Sequence, residues 1–238
     1  MNNKEYILDK ITNSNVSNDP WKHLIIKDFL PLSFYEGIKE ETERYVNKPE
    51  IQKAKDKGVR AYHVSINKSV GVFPHTTKEP YLSEYYNILM DKDVENAIKE
   101  KVFLEGYHKN TPSVDMYGTF DVMTSGFTYD EVHPDHENKM ITMIHYLANP
   151  GDDETLGTLL YSPYKPGSQQ SVTNDILTSA PYIPNCVLFF APCWKENHIS
   201  NHSMMHNSKT TVFRRTIQNF YLREKSDWTK PQKGRLKV

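Results

Sequence analysis

The run His133-Pro134-Asp135 sets an imidazole and a carboxylate two residues apart. In an extended segment such residues point to the same face and converge on one point, and Pro134 biases His133 towards extended backbone. The histidines are unevenly spread: His133, His136 and His145 gather in one stretch, His198, His202 and His206 in another. One imidazole from the second stretch would complete two histidines and one carboxylate on one side of an ion. That set leaves coordination positions open, which suits Fe(II) binding a chelating co-substrate and O2. Taken alone, such a triplet is more often a turn with a solvated carboxylate. A second feature lies downstream. Arg is scarce beside Lys among the 29 basic residues, yet Arg214 and Arg215 stand together at the entrance of a run ending at Leu222. A guanidinium opening a buried strand suits bidentate recognition of a carboxylate. An edge-strand charge pair is the alternative.

The elements that must position these residues fall into two halves. Residues 21–31 read as a short apolar strand running into a turn. Ser33 and Glu36 have capping-box spacing, and Phe34, Ile38, Thr42 and Tyr45 follow at helical intervals, which predicts a helix over 34–46. The charged segment 51–58 reads as a solvated helix end or loop. Residues 83–90 and 93–102 read as two more helices, the second capped by Asp93. From residue 113 the pattern changes to short runs rich in Ile, Thr, Tyr, Phe and Val: 114–124, 139–147, 158–162, 187–190 and 214–222. Pro, Gly, Asn and Asp clusters separate them. Helices first and strands later, without βαβ alternation, predict a mainly β (α+β) fold, a sandwich or barrel flanked by N-terminal helices.

The balance of 29 Lys+Arg against 30 Asp+Glu gives a charge of −1 and no bulk field to attract nucleic acid or an anionic membrane. Mean hydropathy is −0.68, but 15 Tyr, 10 Phe and 3 Trp supply large buried area and exclude disorder. No apolar run is long enough to span a bilayer, and the N-terminal residues lack the apolar core of a secretory signal. Cys186 and Cys193 lack a CxxC spacing and suit free thiols in a reducing, cytoplasmic setting. One domain over 1–238 is expected: an arm or frayed element at 1–20, a strand and helices at 21–112, a β core at 113–223 and a tail at 224–238. The stretches 60–79, with Tyr62, His63, Phe73 and His75, and 162–184 are candidate lids.

The stretch His133-Pro134-Asp135, Lys139, Thr142, Tyr146-Leu147, Asn149, Gly157-Thr158 and Tyr161 resembles the first half of the iron(II)/2-oxoglutarate-dependent dioxygenase core. Asn185 to Phe190, the second histidine cluster and Arg214-x-Thr216 resemble its final strands. The lead-in from His23 to Pro31 is similar to that of the prolyl-hydroxylase-like branch. The resemblance implies a double-stranded β-helix (jelly-roll) and oxidative decarboxylation of 2-oxoglutarate to succinate and CO2, coupled to hydroxylation of a peptide or protein side chain or a small molecule. It implies Fe(II) held by His133, Asp135 and a distal histidine, with O2 and 2-oxoglutarate as co-substrates. The distal ligand stays open among His198, His202 and His206, which lie sixteen, twelve and eight residues before Arg214; the family's spacing favours His202. Arg214 would hold the far carboxylate of 2-oxoglutarate, with Tyr146 and Thr142 as further candidates, while His136 and His145 read as structural. The carboxylate at Asp135 favours hydroxylation over halogenation, and Phe220 stands where a nucleic-acid demethylase would carry a second Arg. A cupin-like enzyme of other chemistry, or a metal-free binding module on the same barrel, are the alternatives.

Overall fold

A computed structural model describes residues 1–54, 57–58, 60–65, 79–104, 113–125, 127–163, 176–193, 198–205 and 213–223. In chain order these form α1 (Asn3–Asn13), β1 (His23–Ile26), α2 (Leu32–Val46), α3 (Pro49–Lys53), β2 (Arg60–Ser65), α4 (Pro80–Leu89) and α5 (Lys92–Val102). Then follow β3 (Asp115–Met123), β4 (Thr128–His133), β5 (Lys139–Tyr146), β6 (Thr158–Tyr161), β7 (Ile176–Ala180), β8 (Cys186–Phe190), β9 (His202–Met205) and β10 (Arg214–Leu222). A 3-10 turn, Glu154–Leu156, precedes β6. Two antiparallel sheets result, one ordered β1-β8-β5-β10-β3-β2 and the other β4-β9-β6-β7. This is a mainly β jelly-roll with helices outside it.

Alternation along each strand divides the large sheet into two faces. Phe120, Val122, Ile141, Met143, Val187, Phe189, Ile217 and Tyr221 share one core with Ile38, Leu82, Tyr85, Val94 and Ile98 of the helices. The alternate residues Ile144, Tyr146, Cys186, Leu188 and Phe190 pack towards Leu160, Ala180 and Tyr182 of the small-sheet side. The site must lie on that second face. Trp21 locks the lead-in onto the small sheet, its indole N–H donating to the carbonyls of Tyr161 at 3.1 Å and Asn201 at 3.3 Å.

The N-terminal stretch is no arm. Residues 3–13 form a helix with a capping box between Asn2 and Glu5, and Ile7 and Ile11 are fully buried in the main core. Helix α2 begins one residue before the expected Ser33 cap; Pro31 takes the cap position with no side-chain hydrogen bond. Asp91, not Asp93, caps α5, accepting the Asp93 amide. The first amides of α4 are satisfied from another helix: Glu41 accepts from Tyr81 at 3.0 Å and Leu82 at 2.7 Å. Segment 51–58 contributes part of a short helix that buries Ile51. Among the described residues, β7 is the outer strand of the small sheet, and its Ile176 and Leu177 are about half exposed.

Of the candidate lids, Tyr62 and His63 lie in β2, paired with β3 at the rim of the large sheet; Phe73 and His75 lie outside the described residues. In the second stretch, 176–184 holds β7 and the buried Tyr182, and residues 164–175 lie outside the described residues, as does the expected tail at 224–238. No helix among the described residues is long and apolar enough to cross a membrane.

Candidate functional site

The last residue of β4, His133, stands directly across from the first residue of β9, His202. Facing residues of an antiparallel pair bring their side chains together, and the two rings lie 4.6 Å apart between centroids. Asp135 follows two residues after His133, beyond Pro134. The ligand atoms of His133, Asp135 and His202 all lie within 4.8 Å of one another. His198 is exposed and lies apart from this group, while His206 lies outside the described residues.

Hydrogen bonding sets the state of each ligand. The Nδ1 of His202 lies 2.9 Å from the Ser200 carbonyl. A carbonyl only accepts, so Nδ1 carries the proton and Nε2 presents its lone pair to the site. Burial is the main cause that holds the His202 imidazole neutral, lowering its pKa to about 4 against the opposing pull of Asp135. Burial alone would push the Asp135 carboxyl up. The Lys139 ammonium, the His202 imidazole and hydrogen bonds from Lys139 and Thr142 outweigh that and hold it below the usual carboxylate range. Thr142 donates to Oδ2 at 2.5 Å, and Lys139 pairs with Oδ1. Each oxygen keeps a further lone pair for a cation. Two imidazoles, that of His202 held neutral, and an ionised carboxylate fit a borderline divalent metal such as Fe(II).

The triad opens into a cavity of about 360 Å³. Its walls include Thr119, Asp121, Met123 and Ile144 on the large sheet, Met204 on the small sheet, and Arg214. Tyr117 and Phe220 stack at 6.2 Å, and the Lys139 ammonium sits 3.7 Å from the centroid of Phe220. Arg214 is 2% exposed. Its Nε donates to the Leu156 carbonyl at 2.6 Å, and its guanidinium lies 5.6 Å from the Tyr146 ring centre. Arg215 faces the helices and pairs with Glu43, and with Asp152 at 3.2 Å.

Of the residues the sequence nominated, with the distal histidine open among three, the structure brings His133, Asp135, His202 and Arg214 around one cavity. Thr142 and Tyr146 have other partners. The Thr142 hydroxyl is engaged by Asp135, and the Tyr146 hydroxyl donates to Thr158 Oγ1 at 2.7 Å, so neither points its proton at a co-substrate. Lys139 and Ser200 were missed as supports of the ligands. Lys139 could have been found from its position four residues after Asp135, whereas Ser200 acts through its backbone and leaves no sequence signal. His145 is structural, buried among the rings of Phe29, Tyr35 and Tyr85. His136 is exposed and accepts the Asn138 amide.

No protein-family model matches the chain, and no curated protein matches it in sequence. Solved structures do match. A Pseudomonas putida prolyl-4-hydroxylase shares 13% identity over 93% of this chain and 100% of its own, with a TM-score of 0.55. A prolyl hydroxylase from Trichoplax adhaerens, in complex with a hypoxia inducible factor peptide fragment, shares 13% over 92% of this chain and 88% of its own, with a TM-score of 0.52. A dioxygenase for auxin oxidation from Arabidopsis thaliana, in a binary complex with 2-oxoglutarate, shares 12% over 93% and 90%, with a TM-score of 0.51. At these identities the likeness is one of fold: the chain shares its jelly-roll with these two prolyl hydroxylases and this dioxygenase.

Proposed function

We propose that the protein is an Fe(II)- and 2-oxoglutarate-dependent dioxygenase that hydroxylates a peptide or protein side chain, or a small molecule, releasing succinate and CO2. The observation that carries this reading is a two-histidine, one-carboxylate triad sharing one cavity with the buried Arg214. His133, Asp135 and His202 would hold the metal, which supplies the oxidation of both 2-oxoglutarate and substrate when O2 is present. Lys139 and Thr142 keep Asp135 ionised and aimed, and Ser200 fixes the tautomer of His202. A dicarboxylic keto acid has a second carboxylate whose burial unpaired would cost several kcal/mol; of the cavity's cations Lys139 is engaged by Asp135, and Arg214 would meet it. Phe190 packs edge-on to the His202 ring at 4.8 Å and helps exclude water from its side. A peptide substrate is supported by the neighbour whose complex contains a peptide fragment, and the cavity volume suits a side chain beside the co-substrate.

Succinate release that needs both Fe(II) and 2-oxoglutarate tests the proposal. Incubation with fractionated cell extract, followed by mass spectrometry for a product with one added oxygen atom, would then name the substrate. A cupin-like enzyme would need metal but not 2-oxoglutarate, and a binding module would need neither. Either result would overturn the proposal.

A further inference from the structure

Along β3 the residues that face the cavity are Tyr117, Thr119, Asp121 and Met123, while Phe120 and Val122 between them point into the helix-side core. Their partners across β10 are Phe220 opposite Tyr117, Gln218 opposite Thr119 and Arg214 opposite Met123. The wall deepens along this row. Gln218 is half-buried and Tyr117 is 9% exposed, whereas Asp121 is 1% exposed. Asp121 is thus a carboxylate low in the cavity wall, and Thr119 Oγ1 donates to its Oδ2 at 2.8 Å. It stands outside the group that would hold the metal.

Burying a carboxylate is costly, and a wall needed only for its shape would be apolar, as Met123 and Ile144 are. A carboxylate offers about four lone-pair sites, of which the Thr119 hydroxyl fills one. Facing a cavity, such a group attracts cations and N–H donors and repels anions. The shallow end of the row has the same preference. Tyr117 and Phe220 stack there, and an aromatic face attracts a cation, as the Lys139 ammonium against Phe220 shows. Aromatic rings near the entry and a carboxylate below them match a long apolar stem that ends in a positive charge.

Resting on the dioxygenase reading above, we propose that the substrate presents a basic side chain, that of a lysine or an arginine. Asp121 selects it through a charge-assisted hydrogen bond to its nitrogen, while Tyr117 and Phe220 pack along its stem. An ammonium and a guanidinium share this chemistry, and they differ in that only the guanidinium can meet both carboxylate oxygens as a planar fork.

Calorimetric titration of the full-length protein, loaded with Mn(II) in place of iron and with 2-oxoglutarate, tests this. The cationic probes are Nα-acetyl-lysine amide and Nα-acetyl-arginine amide; the uncharged counterparts carry norleucine and citrulline. At least one cationic probe should bind about ten- to a hundredfold more tightly than its counterpart, the range for a hydrogen bond to a charged group. Asp121→Asn keeps the shape and removes the charge, and should cut that preference to below about threefold. Mn(II) binding by the variant, read from its electron paramagnetic resonance, reports whether the cavity is intact. If it is not, Thr119→Val takes its place: it keeps the charge, removes the hydrogen bond that orients it, and should weaken the cationic probe while sparing the uncharged one. Equal affinity of wild type for charged and uncharged probes, no binding of either cationic probe, or a preference untouched by the substitution overturns the proposal. Wild-type protein that takes up no 2-oxoglutarate in the loading step would instead remove the dioxygenase reading, and this inference with it.

Discussion

His202 and Arg214 occupy opposite ends of one function, and single substitutions should separate them. His202→Ala removes one of three metal ligands and should abolish Fe(II) binding measured by equilibrium dialysis, while His198→Ala, on an exposed site, should leave it intact. Arg214→Ala should raise the dissociation constant for 2-oxoglutarate at least about a hundredfold, since breaking a buried ion pair costs roughly 3–5 kcal/mol. Metal affinity should hardly change in that variant. Titration of the iron-loaded protein, followed through its charge-transfer absorption, checks both halves; retained affinity in Arg214→Ala would assign the anchor elsewhere. At this scale the sequence was informative wherever chemistry depends on local spacing. His133 and Asp135 converge because alternate residues of extended chain share a face, and Arg214 faces the cavity for the same reason. The hydroxyls of Thr142 and Tyr146 were assigned to the co-substrate because their strand positions are right. Their actual acceptors, Asp135 seven residues earlier and Thr158 twelve later, are set by packing across the fold.

Between strand and helix, Arg215 does the opposite work from its neighbour. Alternation predicts that it faces away from the cavity, and it does. That does not make it dispensable, because Glu43 of α2 and Asp152 both pair with it and Tyr182 accepts its backbone amide at 2.9 Å. Arg215→Ala should therefore lower unfolding free energy by about 3–5 kcal/mol in denaturant titration, leaving two carboxylates without their cation. A stability loss under ~1 kcal/mol would show the network to be solvent-screened. The helix–sheet interface also carries a pH signature. Burial lowers His145 to about 3, and His202 to about 4, from an ordinary value of 6.5. The unfolded chain takes up these protons first, so stability is complete above pH 6.5 and falls as pH drops towards 4. In metal-free protein, the stability difference between wild type and His145→Gln should change by about 1.4 kcal/mol per pH unit between pH 4 and 6 and be flat above pH 7. A difference independent of pH would mean that burial leaves the His145 pKa at its ordinary value. Long periodic elements such as α2, β3, β5 and β10 were legible because burial imposes their pattern. Helix α1 was not: its stretch reads as polar and Asn-rich, and only Ile7 and Ile11 mark its buried stripe. Strands β2, β4, β7 and β9 were missed because they lack a clear apolar alternation: β4 carries Asp130 and Glu131 within its span, and β7 exposes four of its five residues.

Across the whole molecule, the candidate ligands join the two sheets. His133 and His202 belong to the small sheet, while Thr142 and Lys139, which hold Asp135, start the central strand β5 of the large one. A bound divalent ion should therefore stabilise the sandwich as a unit. At a metal concentration a hundredfold above the dissociation constant the gain is about 2.7 kcal/mol, seen as a rise in the thermal midpoint that is absent in His202→Ala. A rise of equal size in that variant would place the ion elsewhere.

The outer strand of the small sheet bears on how the protein behaves in a concentrated solution. Ile176 and Leu177 expose apolar surface on a strand whose outer backbone groups meet no other described strand. Such an edge is a template for pairing between molecules. Light scattering should report reversible self-association that grows with protein concentration, and Ile176→Lys should suppress it while leaving metal and keto-acid affinity as they were. The colloidal ceiling of the preparation would then be set by one strand at the rim, remote in the sheet order from the β5–β10 pair that carries Thr142 and Arg214.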